Sequence, residues 1–178
     1  MSRADWYFDF ISPFAYLQWC RLRALRDRPP LIPRPVLFAG LLAHWGHKGP
    51  AEIPAKRRFT YRHVQWLAGR HGIVLRFPPA HPFNPLRALR LALALGAGEE
   101  PVDAIFRFVW EEGRDPNSAD DWRELQSRLG VADADALIES PQVKSGLRAN
   151  VEEAIARGVF GVPTLAIGSE LFWGFDAT

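Results

Sequence analysis

A serine followed by a proline stands where an apolar stretch near the start of the chain gives way to a helical pattern. Trp6 to Ile11 is aromatic and β-branched apart from Asp9, which predicts a short buried strand. Ser12 is a preferred N-cap residue, and Pro13 suits the first helical position because its missing N–H would be unpaired there. A helix N-terminus stabilises an anion, so we expect Ser12 and this helix end to hold the thiolate of a bound small molecule.

The sequence shows no second pattern typical of a nucleophile or of a metal site. Ser12 shows no neighbouring His and Asp pattern that would activate it as a nucleophile. The single cysteine, Cys20, excludes an internal disulfide and a Cys-based zinc cluster. Cys20 lies deeper in the predicted helix and is interpreted as an inert core residue. We therefore expect no metal site.

The composition is that of a globular protein without a strongly charged surface. The apolar share of 48% and the charged share of 24% are ordinary, and the net charge is only +2. No Lys or Arg run predicts a nucleic-acid surface, and no apolar run approaches the ~18 residues of a membrane span. The N-terminus also lacks the features of a signal peptide. We expect a soluble, cytoplasmic protein that binds neither nucleic acid nor membrane.

The elements that would position Ser12 form a strand–helix–strand unit. Residues 4–10 predict the first strand, and the helix that follows runs from residue 13 to about residue 28, where two prolines end it. Residues 31–38 predict a second strand, and its two prolines push it to an edge of the sheet. The two strands of such a unit are parallel.

Between residues 40 and 158 the pattern changes to successive helices. They cover residues 54–71, 84–95, 101–112, 118–129 and 140–158, with a further short helix from residue 133. The tail returns to strand patterns, because residues 160–167 and 170–173 predict a hairpin around Gly168-Ser169. We predict an α/β sheet domain, residues 1–39 and 159–178, interrupted by an all-helical domain, residues 40–158.

This order, with an X-Pro pair at the entry to the third strand, resembles the thioredoxin fold. The helical insertion makes it similar to the DsbA-like and kappa-class glutathione transferase branch. Three motifs carry a closer resemblance to the 2-hydroxychromene-2-carboxylate isomerase family: Tyr7 to Leu17, Val159 to Thr164, and Phe172 to Asp176. The resemblance covers essentially the whole chain, and the first two motifs are specific in combination.

The resemblance implies a glutathione-dependent cis–trans isomerase of aromatic catabolism. It would interconvert 2-hydroxychromene-2-carboxylate and trans-o-hydroxybenzylidenepyruvate. Redox members of the fold carry two cysteines where this chain has Ser12 and Ala15, so the thiol would come from glutathione. The Ser12 hydroxyl would lower the pKa of that thiol by hydrogen bonding to the sulfur. The thiolate would add to the conjugated, ring-opened substrate, and rotation and elimination would follow.

The resemblance also implies the other contacts of glutathione. The predicted cofactor-binding residues are Ser12, Phe14, His47, Val162, Pro163, Phe175 and Asp176, and Ser12 is the predicted catalytic residue. Pro163 would be cis, and the backbone of Val162 would pair with the cysteinyl unit. Asp176 would receive the γ-glutamyl ammonium, with Phe175 contributing backbone. His47 lies where an Asn is expected at the glycyl end.

The substrate would be a small, flat aromatic carboxylate. Its carboxylate needs a cation or backbone donors, and Lys48 and Lys56 are candidates, although a solvated lysine is the commoner role. Its ring would pack against aromatic side chains, most of which we expect in the core. The candidate aromatic residues are Trp6, Tyr7, Phe14, Phe83, Trp110 and Trp173.

Two alternatives remain open. A kappa-like glutathione transferase would use the same thiolate site for net conjugation, and a non-redox thioredoxin-like domain would act only in binding or as a chaperone. The stretch from Ile11 to Leu17 favours the isomerases over the transferases. The joint presence of Ser12, Pro163 and Asp176 disfavours the binding domain.

The resemblance further implies a C-terminal helix, which we do not find in this sequence. Asp176 is followed by Ala177 rather than by the usual Arg, and the sequence ends at Thr178. The sheet face that such a helix would cover is apolar and needs another cover. Either the sequence is a truncated form or another chain covers that face, and because relatives in the resembled family are dimers, we expect a homodimer.

Overall fold

The sheet is built around the N-terminal strand. Within residues 3–178, which the computed structural model describes, the strands are β1 (Ala4–Phe8), β2 (Leu31–Pro35), β3 (Thr164–Ile167) and β4 (Glu170–Trp173). The strand order is β2-β1-β3-β4, with β1 parallel to β2 and the other two pairs antiparallel. The predicted parallel unit, the edge position of β2 and the C-terminal hairpin are confirmed.

Helices make up most of the remaining chain. In the described residues they are α1 (Pro13–Ala24), α2 (Phe38–Trp45), α3 (Pro54–Arg70), α4 (Leu86–Ala94), α5 (Glu99–Phe106), α6 (Ala119–Arg128), α7 (Ala134–Glu139) and α8 (Pro141–Ala156). Short 3₁₀ turns cover Pro50–Glu52 and Phe175–Ala177, and a π-helical turn, Arg107–Glu111, continues α5. The side chains of Ser12, Ser118, Asp133 and Ser140 each accept a first-turn N–H, which confirms those predicted helix starts.

The prediction of a strand over residues 31–38 is wrong at its C-terminal end. β2 ends at Pro35, and α2, which the sequence analysis did not predict, begins at Phe38. The Phe38 N–H donates to the buried carboxyl group of Asp9 at 2.8 Å. This backbone donor is therefore paired with a side chain at the start of α2 and not with a neighbouring strand. Gly46, with a φ of 66°, ends α2 in the left-handed conformation that glycine favours.

Alternate residues of β1 face two different cores, as the two-residue period of a strand requires. Trp6 and Phe8 stack at 4.4 Å in the larger core, where they meet Trp19 of α1 and Phe106 of α5. Tyr7 lies in a smaller core with residues of α8 and β3. The sheet is therefore covered on one face by α1 and on the other by the end of α8.

The structure confirms an α/β sheet with helices inserted between β2 and β3. The exact division into residues 1–39 with 159–178 and residues 40–158 stays a prediction. The last turns of α8 lie within the predicted helical segment and pack against the sheet core. No helix between residues 3 and 178 has the length and apolar character needed to cross a membrane.

Candidate active site

The Ser12 side chain caps α1 and still has a proton to donate. Its Oγ accepts a hydrogen bond from the Ala15 N–H at 3.2 Å, and its own N–H donates to the Asp9 carbonyl at 3.1 Å. Within residues 3–178 the hydroxyl proton has no acceptor. A serine hydroxyl both donates and accepts, so capping leaves its O–H free for a ligand. The side chain is only 8% exposed, and this remainder faces a cavity.

Two side chains from the helical region hold the loop before Ser12. The indole N–H of the fully buried Trp110 donates to the Phe10 carbonyl at 2.7 Å. The His81 Nε2 donates to the next carbonyl, that of Ile11, at 2.8 Å. Both donors come from distant parts of the chain, and they fix two successive peptide groups ahead of the helix start.

Asp9 holds the same loop from the other side. One carboxyl oxygen accepts from the Ile11 N–H at 3.1 Å, and the other accepts from the Phe38 N–H at the start of α2. The side chain is fully buried, and burial raises the pKa of Asp9 to about 7 although its backbone donors act to lower it. Asp9 therefore links β1, α1 and α2, and its charge changes near neutral pH.

A cavity of about 880 Å³ opens beside this helix start. It is bounded by the start of α1, the region around α2, the first turns of α3, the loop before α4 and the loop before β3. Among the predicted glutathione-binding residues, it brings together Ser12, Phe14, His47 and Val162. These residues are widely separated in sequence, and a volume of this size accommodates a small organic ligand.

Val162 presents an unpaired backbone to this cavity. The peptide bond between Val162 and Pro163 is cis, as the resemblance implies. Among residues 3–178, neither the N–H nor the C=O of Val162 has a hydrogen-bond partner. Pro163 is buried behind it, and its carbonyl accepts from the Gly174 N–H at 2.9 Å. An extended ligand could therefore pair with Val162 as an added strand would.

Two exposed aromatic rings lie at the cavity wall next to Val162. Phe160 is 41% exposed and Trp173 is 54% exposed, and their ring centroids are 5.0 Å apart. A β-carbon at Gly161 would lie 2.6 Å from Trp173 Nε1, so only glycine lets the indole lie this close to the loop.

The other aromatic candidates divide between cavity and core. Phe14 and Phe83 also line the cavity. Trp6, Tyr7 and Trp110 are fully buried and do not belong to its lining.

Basic side chains lie at the part of the cavity formed by α2, the following turn and α3. His47, Lys48 and Lys56 line it, and none of them makes an ion pair within residues 3–178. Glu52 lines the same region and accepts from the Gly49 N–H at 2.5 Å. The cavity therefore combines mainly apolar walls with a cationic margin, which suits an anionic organic ligand.

The structure does not bring Phe175 and Asp176 to this cavity. Gly174, with a φ of 92°, turns the chain after β4, and its carbonyl accepts from the Gln18 side chain at 2.8 Å. Phe175 is consequently buried near His71 at the end of α3, and Asp176 is exposed. Neither lines the cavity, and their contact with glutathione stays a prediction.

Cys20 does not provide a thiol at this cavity. It is half-buried against the larger core and is not part of the cavity lining. Burial raises the pKa of the Cys20 thiol, so the protonated and less nucleophilic form predominates near neutral pH.

Tyr61 and His81 are cavity residues that the sequence analysis missed. The Tyr61 hydroxyl lies 2.6 Å from His81 Nδ1, and both residues line the cavity. A tyrosine within a helical pattern and a histidine before a proline are ordinary in sequence, so no local signal marks them. Asp9 is noted in the sequence analysis only as the break in an apolar strand, with no role assigned to it.

Comparison with known proteins agrees with the fold. The family model described as a DSBA-like thioredoxin domain matches residues 3–178. A 2-hydroxychromene-2-carboxylate isomerase from Sphingobium xenophagum is 31% identical over 180 residues, covering 97% of this chain and 92% of the relative. A glutathione S-transferase kappa 2 from Caenorhabditis elegans is 28% identical, covering 90% of this chain and 79% of the relative.

A solved structure of a 2-hydroxychromene-2-carboxylate isomerase superposes with a TM-score of 0.86 at 28% identity. The superposition covers 98% of this chain and 89% of that chain. The similarity therefore extends over the sheet and the inserted helices alike, which confirms the predicted thioredoxin-like fold. The family match, the sequence identity and the superposition together show that the chain belongs to the DsbA-like thioredoxin family.

Proposed function

We propose that this protein is a glutathione-dependent cis–trans isomerase that interconverts 2-hydroxychromene-2-carboxylate and trans-o-hydroxybenzylidenepyruvate. The observation that carries the proposal is the Ser12 hydroxyl, whose proton has no acceptor in the described chain, on the wall of a cavity that also exposes the unpaired Val162 backbone. Relatives named as this isomerase match over nearly the whole chain.

The residues present fit glutathione on their own chemistry. The Val162 N–H and C=O, unpaired in the described chain, would pair with the cysteinyl unit. The sulfur would then lie toward Ser12 and the N-terminus of α1, which line the same cavity. Phe14 would pack beside the sulfur, and His47 would lie near the glycyl carboxylate. When bound, glutathione supplies the thiolate that adds to the conjugated double bond, permits rotation about it and then leaves.

The Ser12 hydroxyl would favour the ionised thiol. A hydrogen bond to a charged group contributes about 1.5–3 kcal/mol, which corresponds to about one to two pKa units. A thiol with a pKa near 8.5 is only about 3% ionised at pH 7, and this shift raises the ionised share to between about a quarter and three quarters. The half-charge of the helix end acts in the same direction.

The rest of the cavity suits the substrate. Phe83 and the rings of Phe160 and Trp173 offer apolar walls for a flat ring. Lys48 and Lys56 lie at the cavity without an ion pair in the described chain, so either ammonium is free to hold the pyruvyl carboxylate.

An absorbance assay of 2-hydroxychromene-2-carboxylate with and without glutathione tests this proposal. We expect glutathione to accelerate isomerisation by the wild type, and Ser12→Ala to lower kcat about 10- to 100-fold. Ser12→Thr keeps a hydroxyl and should retain much of the rate. Ser118→Ala removes the equivalent N-cap of α6, away from the cavity, and controls for helix destabilisation.

The alternatives predict different results. Faster conjugation of chlorodinitrobenzene than isomerisation would favour a kappa-like transferase. Absence of glutathione binding at millimolar concentration would favour a binding domain without chemistry. No glutathione-dependent rate with the wild type would refute the proposed reaction.

A further inference from the structure

A hydrogen-bonded chain runs from the cavity to the loop before Ser12. The Tyr61 hydroxyl lies 2.6 Å from His81 Nδ1, and His81 Nε2 lies 2.8 Å from the Ile11 carbonyl oxygen. Tyr61 is on α3, His81 is in the loop before α4, and Ile11 immediately precedes Ser12. Three separate segments thus meet through one imidazole ring at the cavity wall.

The partners of His81 determine where its protons lie. A carbonyl oxygen can only accept, so Nε2 must carry hydrogen to bond to Ile11. Burial lowers the pKa of His81, and the nearby Arg57 also lowers it, so the ring is neutral near pH 7. In the neutral ring Nδ1 is then an acceptor, like the His81 carbonyl oxygen, which lies 3.0 Å from the Tyr61 hydroxyl. The Tyr61 hydroxyl has one proton, and the shorter contact, 2.6 Å, is the one to Nδ1.

This arrangement leaves the Tyr61 oxygen able to accept a proton from a ligand. Its own proton is directed to His81, and its remaining lone pair is available on a residue that lines the cavity. Burial raises the pKa of Tyr61, so the group stays a phenol and does not ionise by itself. A ligand hydroxyl bound against Tyr61 would therefore be in contact with a base, His81, through one intervening oxygen.

We propose that Tyr61 and His81 form a proton relay that opens the ring of a cyclic hemiketal substrate, in a step that precedes and does not require the thiolate. The proposal takes the identity of the substrate from the proposed function. A 2-hydroxychromene has a hydroxyl and a ring oxygen on the same carbon, and it must lose its ring C–O bond before the double bond can isomerise. The cavity residues otherwise assigned, Ser12 and Val162, have no part in that step.

The step balances without an external reactant. The C2 hydroxyl gives its proton to the Tyr61 oxygen while the Tyr61 proton passes to His81 Nδ1, which forms an imidazolium. The bond between C2 and the ring oxygen breaks, its electron pair stays on the ring oxygen, and the former hydroxyl becomes the C2 carbonyl. The proton then returns from His81 through Tyr61 to the phenolate, which restores the relay and leaves a ring-opened cis keto acid.

The test measures ring opening with glutathione omitted. Nuclear magnetic resonance saturation transfer gives the exchange rate between 2-hydroxychromene-2-carboxylate and its ring-opened cis form, with wild type in catalytic amount. We expect acceleration over buffer, and a loss of about 100-fold or more with Tyr61→Phe. This variant keeps the ring that packs on Phe77 at 4.7 Å but removes the hydroxyl partner of His81, so it should fold with a lower unfolding midpoint than wild type.

Two further variants separate the relay from a structural role. His81→Gln keeps an amide N–H that can donate to the Ile11 carbonyl but cannot take up a proton, so ring opening and its solvent deuterium isotope effect should be lost while the fold persists. Tyr16→Phe removes a comparable buried tyrosine hydrogen bond, to the Val74 carbonyl, outside the cavity. It should leave ring exchange unchanged.

The possible results are distinct. Wild type that does not exceed the buffer rate, or Tyr61→Phe that matches wild type, overturns the relay. Exchange that depends on Tyr61, together with no isomerisation after glutathione is added, supports the relay and refutes the proposed glutathione function.

Discussion

Replacing Asp9 with asparagine removes a buried carboxyl group whose titration is coupled to folding. The group has a pKa of about 7 in the folded chain against an ordinary value of 3.8, because burial outweighs its backbone N–H donors. The folded state therefore binds more protons than the unfolded state between about pH 4 and pH 7. The stability contributed by this group is present below pH 4 and is lost as the pH rises to about 7.

The magnitude follows from the size of that shift. A difference of about three pKa units corresponds to about 4 kcal/mol of unfolding free energy. Asparagine does not titrate, so the stability of wild type relative to Asp9→Asn should fall by up to about 4 kcal/mol between pH 4 and pH 8. The amide N–H₂ of the variant would also face the Phe38 N–H. This lowers the unfolding free energy of the variant by about 1–3 kcal/mol at every pH and does not change how that free energy depends on pH.

Denaturant unfolding of both proteins from pH 4 to pH 8 measures this difference. Asp27→Asn serves as the control, because Asp27 is exposed and makes no hydrogen bond in the described chain. Its stability should run parallel to that of wild type. A difference between wild type and Asp9→Asn that stays constant with pH, or that rises with pH, would refute the account of Asp9 as a buried, titrating anchor.

Two further substitutions test how the site is held. Trp110→Phe removes a buried indole donor and leaves the Phe10 carbonyl unpaired. Denaturant unfolding should show an unfolding free energy lower by about 1–3 kcal/mol. Trp66→Phe, at an exposed tryptophan, is the control and should leave the unfolding free energy close to that of wild type. Gly161→Ala would place its β-carbon 2.6 Å from the Trp173 indole and displace that ring, so calorimetry without glutathione should show weaker binding of the aromatic substrate. Gly69→Ala has open space in α3 and should leave that affinity unchanged.

The start of the site could be predicted because its signals are local. The Ser12-Pro13 pair defines a helix start through the backbone groups of the next few residues, and the structure has the cap where the sequence predicts it. The parallel unit also follows from local pattern, since two strands joined by one helix run in the same direction. The start of α2 was missed because its apolar residues also fit a strand, and the contact between Asp9 and Phe38 selects the helix.

The sequence by itself determined the cap at Ser12, the absence of a redox dithiol and the thioredoxin-like order of elements, because each depends on residue types at neighbouring or fold-specified positions. The tertiary structure decided which distant groups reach that cap. His81 meets the Ile11 carbonyl across 70 residues, and Val162 is left unpaired beside the same cavity. Phe175 instead turns toward α1 and α3. Such contacts depend on how the helices pack and on which backbone groups are left without a hydrogen-bond partner. A local sequence pattern encodes neither of these.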